Sequence, residues 1–249
     1  VFQTPDSPLL RHAIDAPVSL SGIDLPSLAM TAKVSEIAPL VDSATGSVTV
    51  RALIPQASER YIKRVHLIID KNPAPVAGVF HLFPASGSAT IGTRVRVNEY
   101  TNLHAVAETS NGELYVVERF VKAAGGCSAP ALKDKEAALA RLGKMKLKPM
   151  TPFAAGVPNE AQLLVSHPNY TGMQIDQVSR NWIPPDHVRT IKVSYGGTPV
   201  LEAETDISLS EDPAITFSFV PTEPAAMTVE VEDSNGRTFE QSWPIGPTS

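Results

Sequence analysis

The 249 residues include a single cysteine, so no internal disulfide forms and no thiolate cluster can hold zinc. Aromatic side chains make up only 6% of the chain. Basic charge is not in surplus: 26 acidic residues against 21 lysines and arginines give a formal net charge of −5. A polyanion-binding surface needs a basic excess or a clustered basic stripe, and the chain has neither, which argues against nucleic acid as a partner. No run approaches the roughly 18 apolar residues needed to span a bilayer, so no membrane insertion is expected. The opening residues, Val-Phe-Gln-Thr-Pro-Asp, lack the basic start and apolar stretch of a signal peptide. Cytosolic residence and prior removal of a leader both fit that start.

Proline, by contrast, is abundant: 22 residues, about 9% of the chain where about 5% is usual. Each proline removes an amide donor and clashes with the preceding helical turn, so long helices are disfavoured and short strands with many turns are favoured. With 43% hydrophobic residues there is enough apolar material for packed cores.

Alternation of apolar and polar residues dominates from 46 to 122. Predicted strands run over Ser47–Ile54, Tyr61–Asp70, Val79–Phe83, Ala89–Val97, Leu103–Glu108 and Leu114–Glu118. Asn72-Pro73 ends the second of these. Asn111-Gly112 predicts a hairpin between the last two, because both turn residues tolerate positive φ. From Ala123 the pattern lapses into a loop of small residues, Ala123-Ala124-Gly125-Gly126-Cys127-Ser128-Ala129-Pro130-Ala131. Lys133 to Lys148 predicts a helix with Leu139, Leu142 and Met145 as a narrow apolar stripe and lysines near its C-terminus, where cations are favoured; Gly143 interrupts it. Pro149, Pro152 and Pro158 mark a stiff linker. A second β-rich region follows, with strands over Gln162–Ser166, Val188–Tyr195, Val200–Thr205, Ala214–Val220 and Met227–Asp233, and an Asn235-Gly236 hairpin into Thr238–Trp243. The expectation is all-β: two sandwich domains over 1–122 and 159–249, a cysteine-bearing arm over 123–132, and a helical, proline-rich linker over 133–158.

The chemistry concentrates on Cys127. A lone cysteine is ordinarily a small buried hydrophobe, yet Gly125 and Gly126 remove two side chains that would shield the sulfur and give the arm conformational freedom. An exposed, functional thiol is the expectation. At the ordinary pKa about 3% of it would be thiolate at pH 7. Lys122 and Lys133 flank the loop, where cations can raise the thiolate fraction, but the favoured reading is that they are ordinary solvated lysines. From Ala123 the arm reaches on the order of 16–18 Å, enough to enter a partner's pocket. Such a mobile mount suits a carrier of covalent cargo better than an enzyme, which holds its nucleophile rigidly beside a base.

Other constellations are weaker. Copper sites of the His, Cys and Met type need close spacing, and after Cys127 the next methionine is Met145 and the next histidine His167. His66, His81 and His104 fall on predicted strands, where surface or hydrogen-bonded roles are usual, so no metal is expected. A Cys-His dyad assembles in space and stays open on sequence alone. The Asn169-Tyr170-Thr171 sequon is of a kind that arises by chance in a chain of this length.

Tyr61 to Cys127 resembles SoxY, the cargo-bearing subunit of the thiosulfate-oxidation carrier. The resemblance rests on Asn72-Pro73-Ala74-Pro75, Phe80-His81-Leu82-Phe83-Pro84-Ala85-Ser86-Gly87, Thr93-Arg94-Val95-Arg96-Val97 and Gly125-Gly126-Cys127. Val165 to Ile245 resembles its partner subunit, SoxZ, through Ser166-His167-Pro168, Thr171-Gly172, Ile183-Pro184 with His187, and Val200-Leu201-Glu202-Ala203. The whole looks like the fused SoxYZ-like carriers found beside quinoprotein alcohol dehydrogenase systems.

That resemblance implies immunoglobulin-like sandwiches, a periplasmic location and no catalysis by the chain itself. It implies that Cys127 carries a covalent sulfur adduct on an arm made flexible by Gly125 and Gly126, with no other cofactor, for sulfur-oxidation or quinoprotein dehydrogenase proteins. A non-covalent delivery module for the quinoprotein system is the alternative. An unpaired exposed thiol also implies a disulfide-linked homodimer through Cys127. One departure stands out. In SoxY the cysteine lies in Gly-Gly-Cys-Gly-Gly at the chain end, whereas here Ser128 and Ala129 follow it and the chain continues through a second domain. A pocket that admits a bare terminus differs from one that admits a doubled-back loop, so cargo or partners are expected to differ from thiosulfate oxidation.

Overall fold

The structure, a computed structural model, describes residues 38–40, 47–52, 54, 56–130 and 135–247. The stretch Ala13 to Met30 and Lys133 lie outside the described residues. Among the described residues, fourteen strands and one short helix follow in chain order: β1 (Ala38–Leu40), β2 (Ser47–Ala52), β3 (Ile62–Ile69), β4 (Val76–Leu82), β5 (Ala89–Arg94), β6 (Thr101–Thr109), β7 (Leu114–Val121), α1 (Lys135–Ala140), β8 (Met145–Pro149), β9 (Asn159–Val165), β10 (Val188–Tyr195), β11 (Thr198–Thr205), β12 (Ala214–Phe219), β13 (Ala225–Asp233) and β14 (Thr238–Ile245). A 3₁₀ turn spans Pro84–Ser86.

The alternation in sequence becomes alternation in burial. In β3, Ile62, Val65, Leu67 and Ile69 are buried while His66 and Ile68 are partly open; in β9, Asn159, Ala161, Leu163 and Val165 are buried in turn. Both Asn-Gly hairpins form, joining β6 to β7 and β13 to β14.

The strands make two sheets, ordered β1-β2-β5-β12-β9-β8 and β14-β13-β10-β11-β4-β3-β6-β7. Each half of the chain supplies strands to both, so two immunoglobulin-like sandwiches lie side by side with their sheets fused edge to edge. The larger junction pairs β4 with β11, setting Leu82 opposite Leu201, Phe80 opposite Ala203 and Gly78 opposite Thr205. The smaller joins β5 to β12 through Gly92 and Thr216, where a Cβ on Gly92 would lie 3.2 Å from Thr216 Cβ. One apolar core runs through both halves, from Val48 to Val231, with Phe80 and Leu201 fully buried at the junction. Burying a side chain of this size contributes about 1.5–3 kcal/mol, so the junction is part of the core.

The helix expected over 133–148 is a correction. Among the described residues the helix spans Lys135–Ala140, and 145–149 is strand β8, paired with β9. Gly143 explains the break: it adopts φ +74, and a Cβ there would meet Phe239 at 2.0 Å. Beyond it Met145 and Leu147 are buried while Lys146 and Lys148 are exposed, a period of two that overrides the weak helical stripe.

The segment Pro84 to Gly87 fastens the halves together. Ser86 Oγ donates to Val200 O at 2.6 Å, and Val220 N–H donates to Ala85 O at 2.8 Å. Gly87 has φ +68, and a Cβ would fall 2.2 Å from Val220 Cγ2. Replacing Gly87 with alanine is expected to destabilise the chain by about 3 kcal/mol, left-handed strain and overpacking combined. Gly112→Ala, at φ +89 with nothing within 4 Å, is expected to cost about 1 kcal/mol from strain alone. Urea titration checks both, and a single shared transition for the two halves is expected because they share both sheets.

Candidate functional site

Leaving β7 at Val121, the chain turns back along the residues that follow β5. Gly125 N–H donates to Asn98 O and Gly126 N–H to Val97 O, each at 2.9 Å. Gly125 adopts φ +75, and a Cβ on Gly126 would lie 2.8 Å from Val97 N and 2.9 Å from Val97 O. The two glycines, expected to loosen the arm, here let it lie flat against a neighbouring backbone. Cys127, expected in solvent, is 0% exposed. Close approach rather than free movement is what the glycines supply in this state. A disulfide between two copies requires this arrangement to open first.

The cover over Cys127 comes from the second half. Thr171 Oγ1 donates to Cys127 O at 2.7 Å, and Gln174 Nε2 donates to Ala129 O at 3.0 Å. From the first half, Asn72 Nδ2 donates to Arg96 O (2.7 Å) and to Ser208 Oγ (2.9 Å), while its Oδ1 accepts from Asn98 N–H at 2.9 Å. Beside it the chains of the two halves run antiparallel: Arg96 N–H donates to Ser208 O, Ser210 N–H donates to Arg94 O, and Val95 bridges to Leu209. Cys127 therefore lies at a seam built by both halves.

The cation acting on the thiol is Arg96, not the flanking Lys122, which is exposed. Arg96 is 8% exposed; its Nη2 donates to Asn169 O at 3.2 Å, and its Nε has no hydrogen-bond partner among the described residues. Burial pulls the Arg96 guanidinium below its ordinary pKa, against opposing pulls from Glu211 and Cys127. Burial likewise pushes the Cys127 thiol up, offset in part by Arg96. Buried in this way, the sulfur is a shielded neutral thiol, less reactive than a free cysteine. Among the described residues no hydrogen bond joins the sulfur to a histidine, so the Cys-His dyad does not assemble.

Asn169 shapes the covering loop. Its φ is +45, a conformation asparagine tolerates better than most residues. It is fully buried, with its Oδ1 accepting from Val188 N–H at 3.0 Å, so the sequon offers no accessible acceptor. Tyr170 and Asp186 exchange backbone hydrogen bonds, and Arg237 binds Asp186 through Nη2 at 2.5 and 2.7 Å and Asp233 through Nε at 2.5 Å. Burial opposes ionisation of Asp233, but hydrogen bonds from Arg237 and Asn235 hold its carboxyl below the usual range.

His167 Nε2 stands 3.5 Å from both Asp186 and Asp233, the one group among the described residues with three ligand-type atoms within 4.8 Å of one another. It is not built as a metal centre. His167 Nδ1 accepts from Asn169 N–H at 3.1 Å, which puts the proton of a neutral ring on Nε2, where a metal would bind, and Arg237 already occupies the carboxylates. Burial lowers the His167 pKa despite those two carboxylates. The strand histidines have separate roles: His104 hydrogen-bonds Asp70 (2.9 Å) and Glu118 (3.0 Å), and His81 pairs with Glu204 across the β4–β11 junction at 3.0 Å. Burial, with Arg64 next, lowers the His66 pKa.

The site is a buried thiol beside a buried cation, at the seam of a two-sandwich scaffold. Family models sharpen this: "Sulfur oxidation protein SoxY" matches residues 26–127 and "Sulphur oxidation protein SoxZ" residues 147–244. The chain is a fused SoxYZ-like protein, with a SoxY domain ending at Cys127 followed by a SoxZ domain, and belongs with the carriers of sulfur oxidation rather than with their enzymes. No curated protein matches it. Among solved structures, fibronectin(III)-like modules of Clostridium thermocellum CbhA align at 12% identity and TM-score 0.26, covering 81% of this chain and 85% of theirs. The Bacteroides ovatus mixed-linkage glucan utilization locus protein SGBP-B aligns at 14% and 0.18, covering 80% and 40%. The Streptococcus agalactiae BspA C-terminal domain aligns at 9% and 0.22, covering 81% and 84%. Scores this low add nothing to the description above.

Thr171→Val, which removes one hydrogen bond worth roughly 1 kcal/mol, is expected to raise iodoacetamide alkylation of Cys127 about fivefold in the folded chain. Unfolded chain is expected to react faster than either. The raised folded-state pKa sets the sign with pH: Cys127 contributes stability fully below its unfolded pKa of about 8.5 and loses it as pH rises through the folded value. The stability difference between wild type and Cys127→Ala is expected to shrink above that pH, read from denaturant midpoints at several pH values.

Proposed function

We propose that this chain is a periplasmic thiol carrier that holds sulfur-oxidation intermediates covalently on Cys127 while partner enzymes load and unload them. The observation that carries this reading is the position of Cys127. It is the last residue of the SoxY match, held at the seam with the SoxZ domain by the Thr171 hydroxyl. In the closed state burial keeps the sulfur neutral and covered. Among the described residues, the hydrogen bonds that hold the turn to the rest of the chain come from the Gly125 and Gly126 N–H groups and from the side chains of Thr171 and Gln174. Their release frees the arm, and exposure returns the thiol toward its ordinary pKa. Attaching a sulfane or sulfonate group to a thiolate is an oxidation, so partner proteins supply the electron acceptor and the chain supplies the attachment point. The SoxZ domain closes the site and orients the SoxY domain toward those partners.

One observation favours a second reading. A thiol with no exposed surface and a raised pKa suits a non-covalent delivery module of a quinoprotein dehydrogenase system, in which Cys127 is a packing residue. Intact mass spectrometry of protein purified from its native periplasm, with and without reductant, separates the two. A reductant-sensitive sulfur or sulfonate addition mapped to Cys127 is expected. An unmodified thiol, inert to sulfide, sulfite and thiosulfate, together with full function of Cys127→Ser, overturns the carrier reading in favour of delivery.

A further inference from the structure

We propose that Arg96 is the receptor for the cargo's anionic end, its Nε–Nη2 edge binding the sulfonate oxygens of an adduct on Cys127, so that the carrier favours cargo ending in an oxyanion. This deepens the covalent-carrier reading and rests on it. A guanidinium withdrawn from water is costly unless an anion or a full set of acceptors meets it. Arg96 has neither. It is 8% exposed, no carboxylate forms an ion pair with it among the described residues, Nε is without a partner, and Nη2 makes only a long 3.2 Å bond to Asn169 O. Nε–H and Nη2–H lie on one edge of the planar group and point the same way, the fork that grips a planar or tetrahedral oxyanion with two parallel hydrogen bonds. That under-used edge belongs to the residue against which the cysteine arm is packed: a Cβ on Gly126 would touch Arg96 Cα at 3.4 Å. Arg96 and the Cys127 sulfur also act on each other electrostatically.

The residue is fixed in place by both halves. Asn72 holds its carbonyl, Ser208 O accepts from its N–H, and Asn169 O caps Nη2. A sulfonate arriving on Cys127 takes over the bond to Asn169 O and fills the empty Nε position. Glu211 is the acidic group that pulls on Arg96 from the second half; it forms no hydrogen bond with it and leaves the fork open. A neutral cargo, such as a persulfide in its protonated form or an alkyl disulfide, offers that edge nothing to bind.

The test loads two adducts of the same bond type onto reduced full-length chain. Tetrathionate is attacked at a sulfane sulfur by the Cys127 thiolate; a new S–S bond forms, the central S–S bond breaks, and thiosulfate leaves with the electron pair. The product is the anionic S-sulfothio adduct. Methyl methanethiosulfonate reacts in the same sense, releasing methanesulfinate and leaving a neutral methylthio group. Removal of each adduct by dithiothreitol is followed by intact mass. Arg96→Gln is expected to speed loss of the anionic adduct about tenfold, the scale of a hydrogen bond to a charged group, and to leave loss of the methylthio adduct unchanged. Arg96→Lys, which keeps the charge without the fork, is expected to fall between. Equal effects on both adducts, or none on either, overturn the assignment. Where Arg96→Gln does not fold, the wild-type Arg96 Nε–H resonance decides: it is expected to shift on loading with tetrathionate and not with the methyl reagent, and no selective shift overturns the proposal. Native chain that neither reagent loads, while unfolded chain is loaded by both, sinks the carrier reading itself.

Discussion

A strand at the edge of a sheet carries a row of backbone N–H and C=O groups that need partners. In this chain four such edges, those of β4, β5, β11 and β12, sit at the inner borders of the two halves, and they satisfy one another. Either half alone would expose two of them beside a core that ends abruptly. Joined, the two sandwiches share both sheets and one continuous apolar core. The fused chain thus has one shared core, in which the second half completes the first. The register across β4 and β11 then fixes where every loop of one half falls against the other.

The cysteine site is a product of that register. Residues 94–96 run beside 208–210, which brings the loop of Asn169, Thr171 and Gln174 over the arm that ends β7. No single half holds the site: the thiol and its neighbouring guanidinium come from one, the cover and the carbonyl that meets the guanidinium from the other. Many of the residues by which the halves resemble their families turn out to be joinery. Asn72 ties 96, 98 and 208 together, Ser86 reaches Val200, and Gly87 makes room for Val220. His167, with Asp186, Asp233 and Arg237, anchors the covering loop to the β13–β14 turn.

Burial and charge work against each other at this site. Withdrawing the thiol from water favours its neutral form, and withdrawing Arg96 disfavours its charged one, while each draws the other toward ionisation. Burial wins for both in the closed state. The arm holds a quiet thiol beside an under-satisfied cation, an arrangement that an anionic group on the sulfur would relieve.

Strand identity was legible in the sequence because alternation reports which face of a strand is buried, and all twelve expected strands appear with ends moved by a few residues. Both Asn-Gly hairpins were legible through turn chemistry that depends only on the local backbone. Strand β8 was not, because five residues with two apolar positions fit a helical stripe as well as a short strand, and only pairing with β9 chooses between them. The cysteine stands out in the sequence by its glycines, but they do not report its exposure: Gly-Gly fits an arm that can move and equally one that can lie close, and the seam made by the other half selects the second. Arg96 and Thr171 gave no local signal, since a buried cation and a covering hydroxyl are defined by what packs against them from far along the chain. The sequence by itself determined the all-β class, the two SoxY- and SoxZ-like halves and the one thiol, because those follow from periodicity, motif and count. Tertiary structure alone decided that the halves share their sheets and that the thiol is closed beside a cation, because both depend on contacts between residues up to well over a hundred positions apart.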